Sequence, residues 1–381
     1  MKDNLSQYWN TIQGTLFPWL VEELPPLTKK QQQLITILEV VRIEEFLPFF
    51  CSGYRGRPRK DRAAMARAFV AKAVYNMPTT IFLIERLHSD ISLRRICGWE
   101  TRGQIPSESV FSRAFTEFAN SELPSRAHES LIKESYAGEI VGHVIIDASA
   151  IEAREKPIKV AQKEVVTPPK IKAKRSKRGE HAPRELTRIE KQTNGTMSLA
   201  EMLKELPSDC NVGAKTNSKG SLQWWRGYKL HLSADNNGVP LATVITSASL
   251  NDTQAAIPLA KLTAERVINL YDLMDSGYHV DAIMEHSKSL GHVPIFERQS
   301  KVDGEKEAKH QEKLAWKTLN WKPAEWIRYE SRTCVERVFS RLKDEFGATL
   351  IRVRGVVKVT AHLMFGVLAL AADQLFKIVS S

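Results

Sequence analysis

Apolar residues recur at three- and four-residue steps through "DRAAMARAFVAKAVYNM", "TIFLIERLHS" and "SESVFSRAFTEFANS", between about residues 60 and 136. That spacing predicts amphipathic helices and no strands. A shorter helix, "SLRRIC", ends near Gly98, and Pro106 followed by Ser107 marks another helix start. The two can form a helix-turn-helix-like pair, although a three-helix packing without DNA contact has the same pattern. Beyond residue 140 the period changes. "GHVIIDASAIEA" (142–153) is a short apolar run that ends in a carboxylate, as in buried strands that deliver a functional group at their edge. "GYKLHLSAD" and "VPLATVITSAS" are strands joined by the hairpin signal "NNG". "NDTQAAIPLAKLTAERV" follows as a helix capped by Asn251 or Asp252, then "INLYDLMDSGYHV" as a strand ending in acid and "GHVPIFER" as a further strand.

Strand, hairpin, helix, strand, strand and a final helix is the order of elements in an RNase H-like domain. The predicted fold class is therefore α/β: an RNase H-like catalytic domain (a mixed sheet with flanking helices) over 141–381, preceded by an all-helical N-terminal domain over 1–140, which composition reads as a DNA-binding unit.

The final helix reads "YESRTCVERVFSRLK", residues 329–343. At about 100° per residue, Tyr329, Arg332, Glu336 and Lys343 fall within roughly 60° of one another. Val335, Val338, Phe339 and Leu342 make a second, core-facing stripe about 100° round. Arg337 and Arg341 take the wet side. Taken alone, the polar stripe also reads as a helix with spaced salt bridges.

Charge narrows the partners. The 381 residues carry a formal net charge of +11, which favours polyanions such as nucleic acid. Four cysteines without a C-x-x-C pair suggest neither a zinc ribbon nor a disulfide scaffold, and fit a reducing cytosol. The N-terminus lacks a signal-peptide pattern, and the longest apolar run, "LMFGVLALAA" (363–372), is half a membrane span, so no membrane association is expected. "GAKTNSKGS" lacks P-loop spacing.

Two stretches read as insertions, at about 154–222 and 300–325. Residues 154–194 hold 13 Lys and Arg against 5 Glu and no Asp, with several prolines. Such a segment reads as basic and poorly folded, able to track a phosphate backbone or to serve as a solvated linker. The second carries Trp316 and Trp321, which could stack on an unpaired base or simply pack on the domain. Upstream, Arg55, Gly56, Arg57 and Pro58 spell the core of an AT-hook, whose arginines would enter the minor groove of DNA. The same residues also read as a basic loop leading into a helix.

The candidate chemistry lies in three carboxylates from separate elements: Asp147 and Asp275 at strand ends and Glu336 on a helix. Such a trio suits two hard divalent cations that activate an attacking oxygen and stabilise a leaving one in phosphoryl transfer. Asp272 competes with Asp275, but strand alternation sets them on opposite faces, and the glycine of "DSGY" favours a strand end at Asp275. Asp252 and Asp235 read as a cap and a turn residue.

The spacing Tyr329, two residues, Arg332, three residues, Glu336, six residues, Lys343 resembles the DDE transposases of bacterial insertion sequences, in the branch with the signature Y-(2)-R-(3)-E-(6)-K. "IIDASAI" is similar to that family's first-acid strand and "MDSGY" to its second-acid segment, which usually reads D-x-G-Y. The likeness extends over roughly residues 48 to 375. It implies a transposase that binds terminal inverted repeats as a homodimer on double-stranded DNA, cuts the ends and joins the 3′-hydroxyl to target DNA. It further implies catalytic and metal-binding roles for Asp147, Asp275 and Glu336 with two Mg²⁺ ions, Mn²⁺ substituting, and DNA contacts from Tyr329, Arg332 and Lys343. A bacterial cytoplasmic, nucleoid-associated location follows. The length and basicity of 154–222 depart from a compact member of the family. The rivals are an RNase H-like nuclease without strand transfer and a catalytically silent DNA-binding regulator.

Overall fold

A computed structural model describes residues 26–47, 60–157, 186–216, 220–296, 303–349 and 351–380. The helical region comprises α1 (Lys29–Val41), α2 (Arg62–Val74), α3 (Thr80–Ser89), α4 (Ile91–Cys97), α5 (Glu108–Asn120) and α6 (Leu123–Ser135), with no strand among its described residues. Local chemistry sets the boundaries. Asp61, Thr79 and Asp90 accept hydrogen bonds from the first free N–H groups of α2, α3 and α4, and Gly98, with φ of 108°, ends α4 in the left-handed conformation. Phe69, Phe111, Phe115 and Phe118 form the aromatic centre of this region, with ring centroids 5.0–6.0 Å from Phe69.

The remaining elements are β1 (Ile140–Glu152), α7 (Arg188–Thr193), α8 (Leu199–Glu205), β2 (Asn211–Thr216), β3 (Leu222–Asp235), β4 (Pro240–Ser247), α9 (Thr253–Ala264), β5 (Ile268–Met274), α10 (Asp281–Ser289), β6 (Val293–Phe296), α11 (Asp303–Thr318), α12 (Ala324–Glu330), α13 (Thr333–Asp344) and α14 (Val356–Ser380). Strand β1 is the centre of the six-stranded mixed sheet. It runs antiparallel to β3, from Val144–Asp235 to Glu152–Gly227, and parallel to β5, from Ile140–Ile268 to Ile146–Met274. Strand β6 continues the parallel side. The far edge of β3 pairs first with β2 and then, from Tyr228 onward, with β4. Gly227 stands at that handover with φ of 152°, and a Cβ there would lie 2.1 Å from the Ile151 carbonyl oxygen. Only glycine permits so close an approach of β3 to β1.

The turn residue Asp235 is fully buried and holds the β3–β4 hairpin by accepting from the Asn237 and Val239 N–H groups. It also accepts from the Tyr136 hydroxyl at 2.9 Å, which ties the helical region to the sheet. Helix α14 completes that junction, packing on α1, α2, α5, α6, β4 and α13. By length and composition it could cross a bilayer, but most of its apolar surface is buried in the fold.

Four expectations are corrected. Asp147 does not end its strand: β1 continues to Glu152, because residues 147–152 stay paired with β3 after the ladder with β5 stops at Ile146. Residues 154–222 are not uniformly poorly folded: α7, α8 and β2 lie within them, each helix opened by a capping box (Thr187 with Glu190, Ser198 with Glu201). Residues 158–185 lie outside the described residues. Residues 329–343 are not one helix, since the chain turns at Ser331 and Arg332 and leaves Tyr329 on α12 while Glu336 and Lys343 lie on α13. Arg341 is not on a wet side. It bonds Asp373 of α14 at 2.6 Å, because α14 covers the face that periodicity alone leaves open. For α9, Asn251 Oδ1 accepts from the Thr253 N–H, while Asp252 pairs with Lys229 at 2.8 Å.

Candidate active site

Parallel pairing of β1 with β5 brings the two strand aspartates together. Ile146 and Met274 are register partners, and Asp147 and Asp275 are each the next residue, so their backbones are neighbours at about the 4.8 Å spacing of adjacent strands. Strand β5 stops at Met274 and turns into a short 3-10 segment, Ser276–Tyr278, which Asp275 opens by accepting from the Ser276 N–H at 2.6 Å. The chain thus leaves the sheet where the carboxylate is needed. Asp147 accepts from the Ala148 N–H at 2.8 Å.

The third carboxylate arrives through packing. Cys334, Val335, Val338, Phe339 and Leu342 bury one face of α13 against β1 and β3, in agreement with the apolar stripe, and Glu336 projects outward with 58% of its side chain exposed. Arg332 stands between the acids, its Nη1 3.5 Å from Asp147 Oδ2 and its Nη2 3.0 Å from Glu336 Oε1. Tyr329 is buried beside the same guanidinium, whose carbon lies 5.9 Å from the ring centroid. Lys343, two turns further along α13, donates to Ser149 Oγ at 2.8 Å, two residues past Asp147 on β1.

The electrostatics follow from this crowding. Burial, with the neighbouring Asp275 charge, pushes the Asp147 carboxyl up to about 6 against the opposing pull of Ala148, Arg332 and Lys215. Burial works against the Arg332 charge, but Tyr329, Asp147, Asp275 and Glu336 together hold it above its ordinary value. Burial and Lys215 pull the Lys343 ammonium down. Tyr278 is fully enclosed, its hydroxyl without a hydrogen-bond partner among the described residues, and burial followed by the charges of Asp252, Asp147 and Asp275 raises it well above the usual tyrosine range. Neither Lys215 nor Tyr278 is singled out by sequence spacing. Tyr278 does stand in the quoted "DSGY", but only the fold shows its hydroxyl close to the acids.

Asp272, the alternative acid, is turned the other way. It is 2% exposed and bonded by Asn269, Ser287 and His292. Trp316, Trp321 and Trp326 form a cluster, Trp326 stacking toward Tyr329 at 5.9 Å. Arg55 and Arg57 lie outside the described residues.

Among the described residues no group of three acidic, histidine or cysteine side chains is close enough to hold a metal, because Arg332 spans the space between Asp147 and Glu336. The donor chemistry nevertheless fits a hard divalent cation: two carboxylates on adjoining strands, one of them raised by burial and less by its neighbour, and a third that is exposed and tethered by a guanidinium.

No curated protein and no solved structure matches the chain. Residues 22–117 match the family described as Transposase domain (DUF772). Residues 142–372, which carry the sheet and all three acids, match the family described as Transposase DDE domain. That match covers more than half of the sequence, and the protein therefore belongs to the transposase DDE family.

Proposed function

We propose that this transposase binds DNA ends, hydrolyses the phosphodiester there and joins the freed 3′-hydroxyl to a second DNA. The observation that carries the reading is the juxtaposition of Asp147, inside β1 one residue past its last pair with β5, and Asp275, one residue past the end of β5, with Arg332 linking Asp147 to Glu336. The order β4-β3-β1-β5-β6, antiparallel on one side of β1 and parallel on the other, supports an RNase H-like catalytic unit over 141–381 behind a helical unit over 1–140.

Asp147, Asp275 and Glu336 are the residues that would hold divalent ions, Mg²⁺ by preference. When bound, such ions polarise the scissile phosphate and ease deprotonation of the attacking water or hydroxyl. Arg332, paired with carboxylates in the free protein, would exchange one of them for a phosphate oxygen when DNA arrives, so its charge is never left bare. Lys343 and Tyr329 flank that position along the DNA path, and the tryptophan cluster beside Tyr329 offers a stacking face for an unpaired base. Arg55 and Arg57 would add a minor-groove contact. The partners are then transposon ends and target DNA, held by a homodimer in the bacterial cytoplasm at the nucleoid, with no membrane.

The test is incubation of the protein with Mg²⁺ and a labelled duplex carrying the inverted repeat that flanks its own locus, beside Glu336→Ala. Cleavage at the repeat boundary by the wild type alone is expected, with a joined product when target DNA is added. Cleavage without joining would leave a nuclease, and binding without cleavage a silent regulator.

A further inference from the structure

A cavity of about 470 Å³ opens between the helical region and the segment joining α13 to α14, just past the C-terminal end of β1, where Arg154 follows Asp147 by seven positions. Its floor is apolar, made by Phe69, Phe115 and Phe365. Its walls carry five cations, Lys72, Arg154, Arg352, Arg354 and Lys358, against one carboxylate, Glu108. None of the five has an ion-pair partner among the described residues.

Lys72 is the informative one. It is only 9% exposed, yet no hydrogen bond or carboxylate reaches its ammonium among the described residues. Burial lowers it to about 8, with no compensating charge. An unpaired buried lysine costs stability. The first turn of α3, at Thr79 and Thr80, and the first turn of α14, at Lys358, also line the cavity, so two helix N-termini add their positive ends. The walls are built rather than accidental: the bridge Ala153–Ile351 brings Arg154 and Arg352, each the next residue, to the same edge, and Glu155 accepts from the Gly355 N–H at 2.9 Å to hold the loop.

We infer that this cavity is a phosphate-binding site, filled by the backbone of the DNA strand whose reacting phosphate lies at Asp147. The cavity chemistry stands on its own residues; the identity of the strand rests on the function proposed above. Seven residues separate Asp147 from Arg154, at most about 23 Å at 3.3 Å per residue. That is roughly six or seven nucleotides at 3.4 Å per step. Ser149 with Lys343 lies between, so a strand lying along β1 would meet cations along its course.

The experiment measures the affinity of the full chain for a 30-base-pair duplex bearing the terminal repeat, at several salt concentrations in Ca²⁺ buffer, for wild type, Lys72→Met and Arg352→Gln/Arg354→Gln. Lys72→Met is expected to weaken binding about tenfold and to make log K against log[salt] shallower by about 1, and the double variant by about 2. Its melting temperature should hold or rise, since a buried charge is removed, which separates the effect from misfolding. A parallel arm follows thermal shift with inorganic phosphate and with dAMP. If duplex binding ignores Lys72 but phosphate or dAMP stabilises the wild type and not Lys72→Met, the site takes free phosphate and the strand assignment is wrong. If neither arm responds in a folded Lys72→Met protein, the proposal is overturned. Failure of the wild type to cut DNA would sink the catalytic reading without touching either readout.

Discussion

Asp272 and Asp275 lie three residues apart in the same strand segment and do opposite things. Around Asp272 every partner is supplied from within: Asn269 from its own strand, Ser287 from α10 and His292 from the start of β6, all in a region closed to water. Around Asp275 and Asp147 the fold brings acids together and serves them only locally, Asp275 by the Ser276 N–H and hydroxyl and Asp147 by the Ala148 N–H and Arg332. A buried carboxylate with a full set of donors is a structural pin. Two neighbouring carboxylates, one of them raised chiefly by burial, have the donor chemistry that suits a cation.

Substitution tests this contrast most sharply at the open end. Asp147→Asn or Asp275→Asn should reduce DNA cleavage by about 10⁴-fold, on the order of 5 kcal/mol of barrier, while end binding in a gel-shift assay persists. Chelating the divalent ion should do the same to the wild type. Undiminished cleavage by either variant would remove that residue from the site.

Acid should act on the closed regions next. Burial holds His128, His231 and His362 neutral, at about 3, 4 and 3, against an ordinary value of 6.5. Below about pH 6.5 the unfolded chain takes up protons that the folded chain refuses, so stability falls as pH falls and the loss ends only near pH 3. Between pH 7 and pH 5 the three together should cost roughly 5 to 6 kcal/mol, read as a drop in urea midpoint. A flat profile over that range would mean that these side chains are hydrated.

Asp272→Ala should come third, at about 3 kcal/mol of lost stability, because it strands Ser287, Asn269 and His292 in a dry pocket. Asp147→Asn should have the opposite sign. Its folded carboxyl is raised to about 6, so the ionised form works against folding at neutral pH, and the neutral amide should stabilise the metal-free protein by about 2 kcal/mol. Calorimetry of the two variants side by side decides the comparison: both destabilised, and the open site is no different from the closed one.

Much of this was legible in the chain. The period of three and four residues marks α2, α3 and α5, and apolar runs bounded by turn residues mark β1, β3, β4, β5 and β6. Asp275 was separable from Asp272 because a strand that ends at a glycine-containing turn exposes its last acid. The turn at Ser331 and Arg332 escaped periodicity because the residues on either side still fit a helical wheel.

What the sequence determines by itself is local: which segments suit helix or strand, where caps and turns fall, and that Asp275 closes its strand, because these depend on neighbours within a few residues. Only tertiary structure decides which edges pair. The parallel register of β1 with β5 makes neighbours of acids 128 positions apart. The burial of α13 leaves Glu336 exposed and bonded to Arg332, which also reaches Asp147, and the docking of α14 draws Arg341 into Asp373 and leaves Lys72 unpaired at a cavity wall. Those outcomes depend on which surfaces exclude water, and a linear pattern specifies that a face is apolar without specifying what will cover it.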